Sequence, residues 1–237
     1  MKIVKPSFEI LTPISKGGED ELKAIERAAR TCYKSEDLIS EDISSAEKLI
    51  KTLLYNGHEA MLEHSQLSVK FIVDRGVSHE LVRHRLCSFA QESTRYCNYS
   101  KDKFDGEITV VEPSCFKDLS EEDKQLYINW FEYYNKYPSD YTFEKYIIWY
   151  VIWYDLCTNA EHYYFKLLDK GMTPQEARSV LPTSLKTELV VTANYREWRN
   201  IFKLRCDHHA HPDMRYIMCQ VLDEVKKRIP IIFDDIK

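Results

Sequence analysis

The chain has 237 residues, of which 44% are hydrophobic and 30% are charged, and its formal net charge is -5 at pH 7. This hydrophobic share can supply the core of one sizeable domain, so a folded protein is expected rather than a disordered one. The slight excess of acids argues against a protein that wraps nucleic acid, because that work needs a basic face, but it leaves small anionic ligands open.

The seven cysteines are odd in number, widely spaced and contain no CxxC pair, which excludes a disulfide framework and a zinc ribbon. Residues 1–12 mix charged residues and a proline with apolar ones, so they lack the core of a signal peptide, and the cytoplasm is the expected compartment. The aromatic run at 146–154 is shorter than the roughly 20 residues of a membrane-spanning helix, so we interpret it as buried core or a subunit interface, with no membrane partner.

The first predicted elements are two helices and a strand. Small and apolar residues recur at helical spacing over residues 22–32 and indicate one amphipathic helix. Ser44 and Glu47 have the spacing of a capping box for a second helix, which Asn56-Gly57 should end. Apolar and polar residues then alternate over residues 67–73, which is the period of a half-buried strand.

The next segment predicts a short helix, for which Ser78 is a plausible cap, with Arg83-His84-Arg85 near its end or in the loop beyond it. Residues 107–112 indicate another short strand. Ser120 should cap the helix that follows, because acidic residues occupy the first turn, where the positive end of the helix dipole favours them.

A long helical stretch runs from about residue 140 to 169. Lys170-Gly171 should end it, and Thr173 with Glu176 then has the spacing of a capping box for the next helix. Alternation over residues 185–191 predicts a strand, after which Asn194 is expected to cap a helix together with Glu197.

The last helix should begin at Pro212 and be closed by Pro230. Helices therefore outnumber strands, the strands are separated by helices or long loops, and no repeat or low-complexity linker divides the chain. We predict a helix-rich α+β fold, with one mixed helix-and-sheet domain over residues 1–237.

Three guanidinium groups and an imidazole are concentrated in residues 83–96, Arg-His-Arg-Leu-Cys-Ser-Phe-Ala-Gln-Glu-Ser-Thr-Arg-Tyr. Arginine stays charged and matches phosphate oxygens bidentately, so the composition indicates an anion site. The alternative is a solvated basic turn paired with nearby acids, and charge alone leaves both interpretations open.

Arg83-His84-Arg85 followed after seven residues by Ser93 resembles the signature of the flavin-dependent thymidylate synthases. One upstream segment and two downstream segments, in the same order as in that family, extend the resemblance over roughly residues 22–219. Residues 56–64 resemble its upstream His-Glu and Glu-His segment, and residues 177–182 and 194–210 resemble its closing segments.

The resemblance implies a role for each matching position. The residues it assigns to the flavin are Arg83, His84, Arg85, Gln91, Asn194, Arg196, Asn200 and Ala60, the last replacing a hydroxyl residue of some relatives. The residues it assigns to the nucleotide substrate are Glu80, Arg83, Gln91, Glu92, Ser93, Thr94, Arg95, Arg178 and Arg205. The residues it places at the reaction itself are Arg205, His58, Ser93 and His209.

The resemblance also implies methylation of dUMP to dTMP with FAD as cofactor, NADPH as reductant and methylenetetrahydrofolate as carbon donor, in a homotetramer. Carbon 5 of uracil must gain electron density before it attacks a one-carbon unit, and a cation at the edge of the ring stabilises that charge, a task that matches Arg205. A flavin enzyme draws reducing equivalents from the isoalloxazine, so no cysteine needs to be a nucleophile.

Two other functions stay open. One is a nucleotide-binding regulator that has the anion pocket without turnover. The other is a metal-dependent hydrolase that uses the histidines at 208–211. We expect no metal, because adjacent residues of a regular helix point about 100° apart, so His208 and His209 would not face one ion.

Overall fold

The computed structural model describes residues 1–134 and 145–236. The strands are β1 Lys2–Val4, β2 Ser7–Ile10, β3 Gln66–Asp74, β4 Ser88–Gln91, β5 Thr109–Val111 and β6 Lys186–Asn194. The helices are α1 Glu19–Tyr33, α2 Ser44–Tyr55, α3 Arg75–Leu81, α4 Glu121–Tyr134, α5 Lys145–Asp169, α6 Pro174–Ala177, α7 Tyr195–Arg205, α8 Pro212–Arg228 and α9 Pro230–Phe233. The predicted mixture of helices and sheet is confirmed.

The sheets contain the two strands that alternation predicts most strongly. One sheet has the order β2-β3-β6-β4, and β1 pairs in parallel with β5 so that Ile3 lies opposite Val110. Every second residue of β3 and of β6 is buried while the residues between are partly exposed, which is the pattern of strands that cover a core with one face. These two predicted strands are therefore confirmed, and the short strand predicted at 107–112 is confirmed as β5.

The described residues form two compact units. The first unit comprises residues 1–6, 72–79 and 91–188, and the second unit comprises residues 7–71, 80–90 and 189–237. The prediction of a single domain over residues 1–237 stays a prediction.

The core of the first unit lies beneath α5. Tyr164 of α5 packs edge-on against Tyr99, with ring centroids 5.7 Å apart, and Cys157 joins them in the same buried cluster. Val110 of β5 forms an antiparallel bridge with Leu185, so the short β1-β5 pair is connected to the start of β6. These contacts hold the segments around residues 91–99 and 177–185 in place within the unit.

The core of the second unit centres on α7. Trp198 is fully buried, stacks on Phe202 with ring centroids 5.4 Å apart, and donates its indole N–H to the carbonyl of Leu67 at 2.9 Å. The α7 helix packs against α8, and α1 packs against α2. The α7 helix is thus fixed by an apolar face, while its remaining residues are available for polar contacts.

Arg199 of α7 fastens the C-terminal segment of the second unit. Its guanidinium binds Asp235 at 2.6 Å and Glu59 at 3.1 Å, and it also donates to the carbonyl of Ile232. Because Arg199 is only 1% exposed, these acceptors provide the hydrogen bonds that its buried charge requires.

Helix ends test the capping predictions. Asn194 caps α7 by accepting the backbone N–H of Glu197 at 2.8 Å, and Ser120 accepts the backbone N–H of Asp123 at 3.1 Å. Thr173 and Glu176 form the predicted capping box at the start of α6. These three predictions are confirmed, although the Glu197 carboxylate does not contribute to the cap and instead contacts Asn200.

Two other capping predictions are wrong. Ser44 is the first residue of α2 rather than its cap, and its hydroxyl and backbone N–H both donate to Asp42. Ser78 lies inside α3, where its hydroxyl donates to the carbonyl of Arg75 at 3.0 Å. In both places the serine hydroxyl donates to an acceptor within a few residues in the chain. Short hydroxyl side chains commonly make such local hydrogen bonds instead of capping a helix.

The aromatic run at 146–154 lies on α5. Ile147, Tyr150 and Val151 are buried, whereas Tyr146 and Trp149 are exposed, so the run has one face in the core and one face outward. The predicted helix start near residue 140 lies outside the described residues, and the subunit-interface interpretation stays a prediction. Within residues 1–134 and 145–236, no helix is long and apolar enough to cross a membrane.

Candidate active site

The Arg-His-Arg motif follows a helix and precedes a strand. The α3 helix ends at Leu81, a turn carries residues 82–87, and β4 begins at Ser88. The predicted position of Arg83-His84-Arg85 beyond the helix is therefore confirmed, while β4 inside the motif was not predicted. Arg83 and Arg85 are exposed, and His84 between them is buried.

Arg205, at the end of α7, is held by residues of the motif region in the second unit. Its Nε donates to Nε2 of His84 at 2.9 Å, its Nη1 donates to the Glu80 carboxylate at 2.9 Å, and its Nη2 donates to the Glu80 carbonyl at 3.1 Å. The structure thus brings together three predicted site residues that are up to 125 positions apart in the chain.

His84 lies between a cation and a buried carboxylate. Its Nδ1 is 3.3 Å from the Glu197 carboxylate, and Asn200 donates to the same carboxylate at 3.3 Å. Burial lowers the pKa of His84 and the positive charge of Arg205 lowers it further, against the hydrogen bond to Glu197, which raises it. The net direction is downward, so the neutral imidazole is favoured at neutral pH.

A cavity of about 530 Å³ lies beside this network in the second unit. Its lining consists of Glu59, Glu63, Leu86, Asn194, Arg196, Glu197, Asn200 and Lys203. Its volume is typical of small-molecule sites, which span roughly 300–1,000 Å³. Three residues predicted to bind the flavin, Asn194, Arg196 and Asn200, therefore line one cavity.

The charges around this cavity are paired in the structure. Arg196 forms an ion pair with Glu63 at 2.6 Å, and Lys203 lies 3.5 Å from Glu59. Arg196 is half exposed, so its ion pair with Glu63 is of the weak, solvent-exposed kind.

A second cavity, of about 370 Å³, lies in the first unit and contains part of the predicted nucleotide site. Arg178 donates to the Thr94 hydroxyl at 3.0 Å, and both residues line the cavity. Arg75 and His79 line it as well, and neither residue was predicted from the sequence. Arg75 donates to the Glu92 carbonyl at 3.1 Å, while its buried Nε has no partner among the described residues.

The other predicted nucleotide residues of the first unit have protein partners. Gln91 donates to Ser78 at 2.9 Å and to Thr187 at 3.2 Å. The Glu92 carboxylate pairs with Lys186 at 3.0 Å. Ser93 accepts the backbone N–H of Arg95 at 3.3 Å, so its hydroxyl is placed by a local turn.

His58 and Ala60 are both exposed, at the start of a short 3-10 helix over Glu59–His64 in the second unit. His58 joins it to the end of α2, because the His58 backbone N–H donates to the Leu53 carbonyl at 2.8 Å. Neither residue lines the cavity next to Arg205.

His208 and His209 lie in a turn, because α7 ends at Arg205, so the premise that a regular helix separates their side chains was wrong. Potential ligand atoms of Asp207, His208 and His209 lie within 4.8 Å of one another, and all three residues are exposed. The Asp207 carboxylate accepts hydrogen bonds from the backbone N–H of His209 and from its ring at Nδ1. These local hydrogen bonds of the turn account for the closeness of the three side chains. The expectation of no metal stays a prediction.

The family profile described as "Thymidylate synthase complementing protein" matches residues 15–231, which include every residue of both cavities. The chain belongs to this family. The predicted membership of the flavin-dependent thymidylate synthases, and the prediction of an enzyme of that type, are both confirmed.

Individual relatives are named flavin-dependent thymidylate synthase. A flavin-dependent thymidylate synthase of Corynebacterium aurimucosum is 30% identical over 223 residues, which cover 94% of this chain and 82% of that protein. One of Geobacter sulfurreducens is 30% identical over 221 residues, with 91% and 82% covered. One of Pyrococcus furiosus is 30% identical over 205 residues, with 86% and 69% covered.

Proposed function

We propose that the chain converts dUMP to dTMP, with FAD as cofactor, NADPH as reductant and methylenetetrahydrofolate as carbon donor. The balance is dUMP, methylenetetrahydrofolate, NADPH and one proton giving dTMP, tetrahydrofolate and NADP⁺. Family membership supports thymidylate synthesis with a flavin, and the observation that carries the proposal here is Arg205, fixed by Glu80 and His84 beside a cavity lined with flavin-type donors.

The 530 Å³ cavity suits part of a flavin. Amide groups of Asn194 and Asn200 match the carbonyls and hydroxyls of such a cofactor, and Arg196 and Lys203 match its phosphates. When bound, the flavin supplies the reducing equivalents of the reaction. Both ring nitrogens of His84 already have protein partners, so we propose that the imidazole acts mainly on Arg205, while Arg83 and Arg85 stay available to the cofactor.

Arg205 is proposed to stabilise the negative charge that develops on the uracil ring. Three of its N–H groups are used within the protein, and a guanidinium has about five, so about two remain for the substrate. A planar cation that is already held by three hydrogen bonds needs little reorganisation during the reaction, which is the condition for strong electrostatic catalysis.

The nucleotide phosphate is proposed to bind at the cavity of the first unit. Arg178 and Thr94 supply a charged donor and a hydroxyl there, and Arg75 adds an Nε–H that has no partner among the described residues. Phosphate oxygens are strong acceptors for such donors. Ser93 and Arg95 complete the proposed nucleotide contacts, with positioning rather than nucleophilic attack as the role of Ser93.

The test is an assay of purified protein for dTMP, combined with its visible absorption spectrum. We expect a bound flavin, and product only when dUMP, the folate donor and NADPH are all present. Turnover that survives removal of the flavin would contradict the proposal. Tight dUMP binding without product would instead identify a regulator, and stoichiometric metal with chelator-sensitive hydrolysis would identify a hydrolase.

A further inference from the structure

Glu197 is a buried carboxylate that the sequence suggested only as part of a helix cap. We propose that Glu197 is a positioning residue that orients Arg205 by fixing the proton of His84 on Nδ1. All three residues lie in the second unit. The inference rests on the proposed function of Arg205.

The proton assignment follows from the donors. Arginine nitrogens only donate, so Nε2 of His84, 2.9 Å from Nε of Arg205, must present a lone pair. A neutral imidazole with a lone pair on Nε2 carries its proton on Nδ1. The Nδ1–H then points to the Glu197 carboxylate at 3.3 Å, which is an acceptor only. Each donor in the series meets an acceptor in this tautomer alone.

Burial makes this arrangement selective. Glu197 is 7% exposed and His84 is 6% exposed, so water has little access to replace either hydrogen bond. The Glu197 carboxylate is itself stabilised by the Asn200 amide and by its place in the first turn of α7, at the positive end of the helix dipole. These contacts hold the Glu197 carboxylate opposite Nδ1 of His84, where it favours one tautomer of the imidazole.

The other states of His84 would release Arg205. With the proton on Nε2, an N–H of His84 would face the N–H of Arg205, and both would lose a partner. With both nitrogens protonated, two positive charges would lie 2.9 Å apart. Glu80 would still hold the terminal nitrogens of Arg205, but the third hydrogen bond that fixes the plane of the guanidinium would be gone.

The inference is tested first on the unaltered holoenzyme by ¹⁵N NMR after histidine labelling. The His84 signals are expected to show a protonated Nδ1 and an unprotonated Nε2 at pH 8, and the opposite tautomer would overturn the proposal. This reading does not depend on turnover, so it is distinguishable from a failure of the proposed function, which would appear as absence of dTMP.

The second measurement is the kinetics of Glu197→Ala. We expect kcat to fall by about 10²-fold, with KM for dUMP changed less than about 3-fold, as for other carboxylates that fix a histidine tautomer. The control is Glu224→Ala on α8, which removes a glutamate that is paired with Arg228 at 2.9 Å and lies outside the site. Wild-type kcat in Glu197→Ala would overturn the inference.

Glu197→Gln provides a variant of nearly the same volume in case the alanine variant does not fold. Its amide can present either oxygen or nitrogen to His84, so the tautomer is read by the same spectrum. We expect near-normal kcat if Nδ1 stays protonated, and a loss similar to that of alanine if the proton moves to Nε2. Normal kcat with the proton on Nε2 would contradict the proposal.

Discussion

Two arginines of the candidate site are expected to fail in different ways when they are removed. Arg205 is held by three hydrogen bonds next to the 530 Å³ cavity, whereas Arg83 is an exposed residue of the turn between α3 and β4. Arg205→Ala should lower kcat by about 10²-fold or more with little loss of bound flavin, because it removes a transition-state contact. Arg83→Ala should lower flavin retention instead. Flavin content and kcat are measured on both, and equal effects would contradict this division.

His84 should make stability depend on pH. Its pKa in the folded protein lies below its ordinary value of 6.5, because of burial and of Arg205. The unfolded chain therefore binds the proton more readily, so stability from a neutral His84 is complete above about pH 6.5 and decreases as the pH falls towards the folded pKa. The charged groups in contact with the imidazole are Glu197 at Nδ1 and Arg205 at Nε2, and Glu80 in turn binds Arg205.

The measurement is the free energy of unfolding in urea at pH 8 and pH 5.5, for the wild type and for His84→Gln. The wild type should lose more stability between these pH values than the variant does, because only the wild type carries the titrating imidazole. An equal loss in the two proteins would show that His84 is not responsible.

At the level of single residues, the sequence identified the residue types that carry the chemistry but not their partners. Arg205, His84 and Glu80 could be assigned from the motif and the family resemblance. The link from His84 to Glu197 joins positions that are 113 residues apart, and periodicity carries no information on such pairs. Arg75 and His79 were missed for the same reason, since only the folded chain places them beside Arg178.

Elements with a long repeated pattern were predicted well, and of the short ones only those with a local signal were, such as β5 and the capped helix α6. Helix α1 and strands β3 and β6 each bury one face, so their apolar spacing shows in the sequence. Strands β1 and β4, with three and four residues, were not predicted, since neither carries an alternation long enough to separate a strand from a loop. Their positions depend on pairing with a neighbouring strand, which is a tertiary property.

Arg199 should matter more to stability than to the reaction. Arg199→Ala removes the partner of Asp235 and Glu59 and leaves the Ile232 carbonyl buried without its donor. We expect the free energy of unfolding to fall by about 3 kcal/mol, on the scale of lost hydrogen bonds to a charged group together with a buried carbonyl left without its donor. Chemical denaturation measures it, with Arg228→Ala on the exposed end of α8 as the control. A change below about 1 kcal/mol would indicate that Arg199 does not fasten the C-terminal segment.

For the whole molecule, we predict a homotetramer. Tyr146 and Trp149 on α5 are large apolar side chains that remain exposed in the single chain, and we expect this aromatic surface to contribute to a subunit interface. Sedimentation should give four times the mass of one chain. Trp149→Glu should give smaller species, because it places a charge in an apolar interface, whereas Asn159→Glu, at an exposed position of the same helix, should not. A monomeric wild type would contradict the prediction.

The cap of α7 has a consequence for the cavity beside it. The side chain of Asn194 both accepts the N–H that starts the helix and lines the proposed flavin cavity, so one amide serves two structures. A cofactor that bonds to this amide would also steady the first turn, in which Glu197 lies. Binding of the cofactor is therefore expected to make Glu197, which orients His84, more rigid. In the flavin-free protein, Arg205 should then be less firmly held.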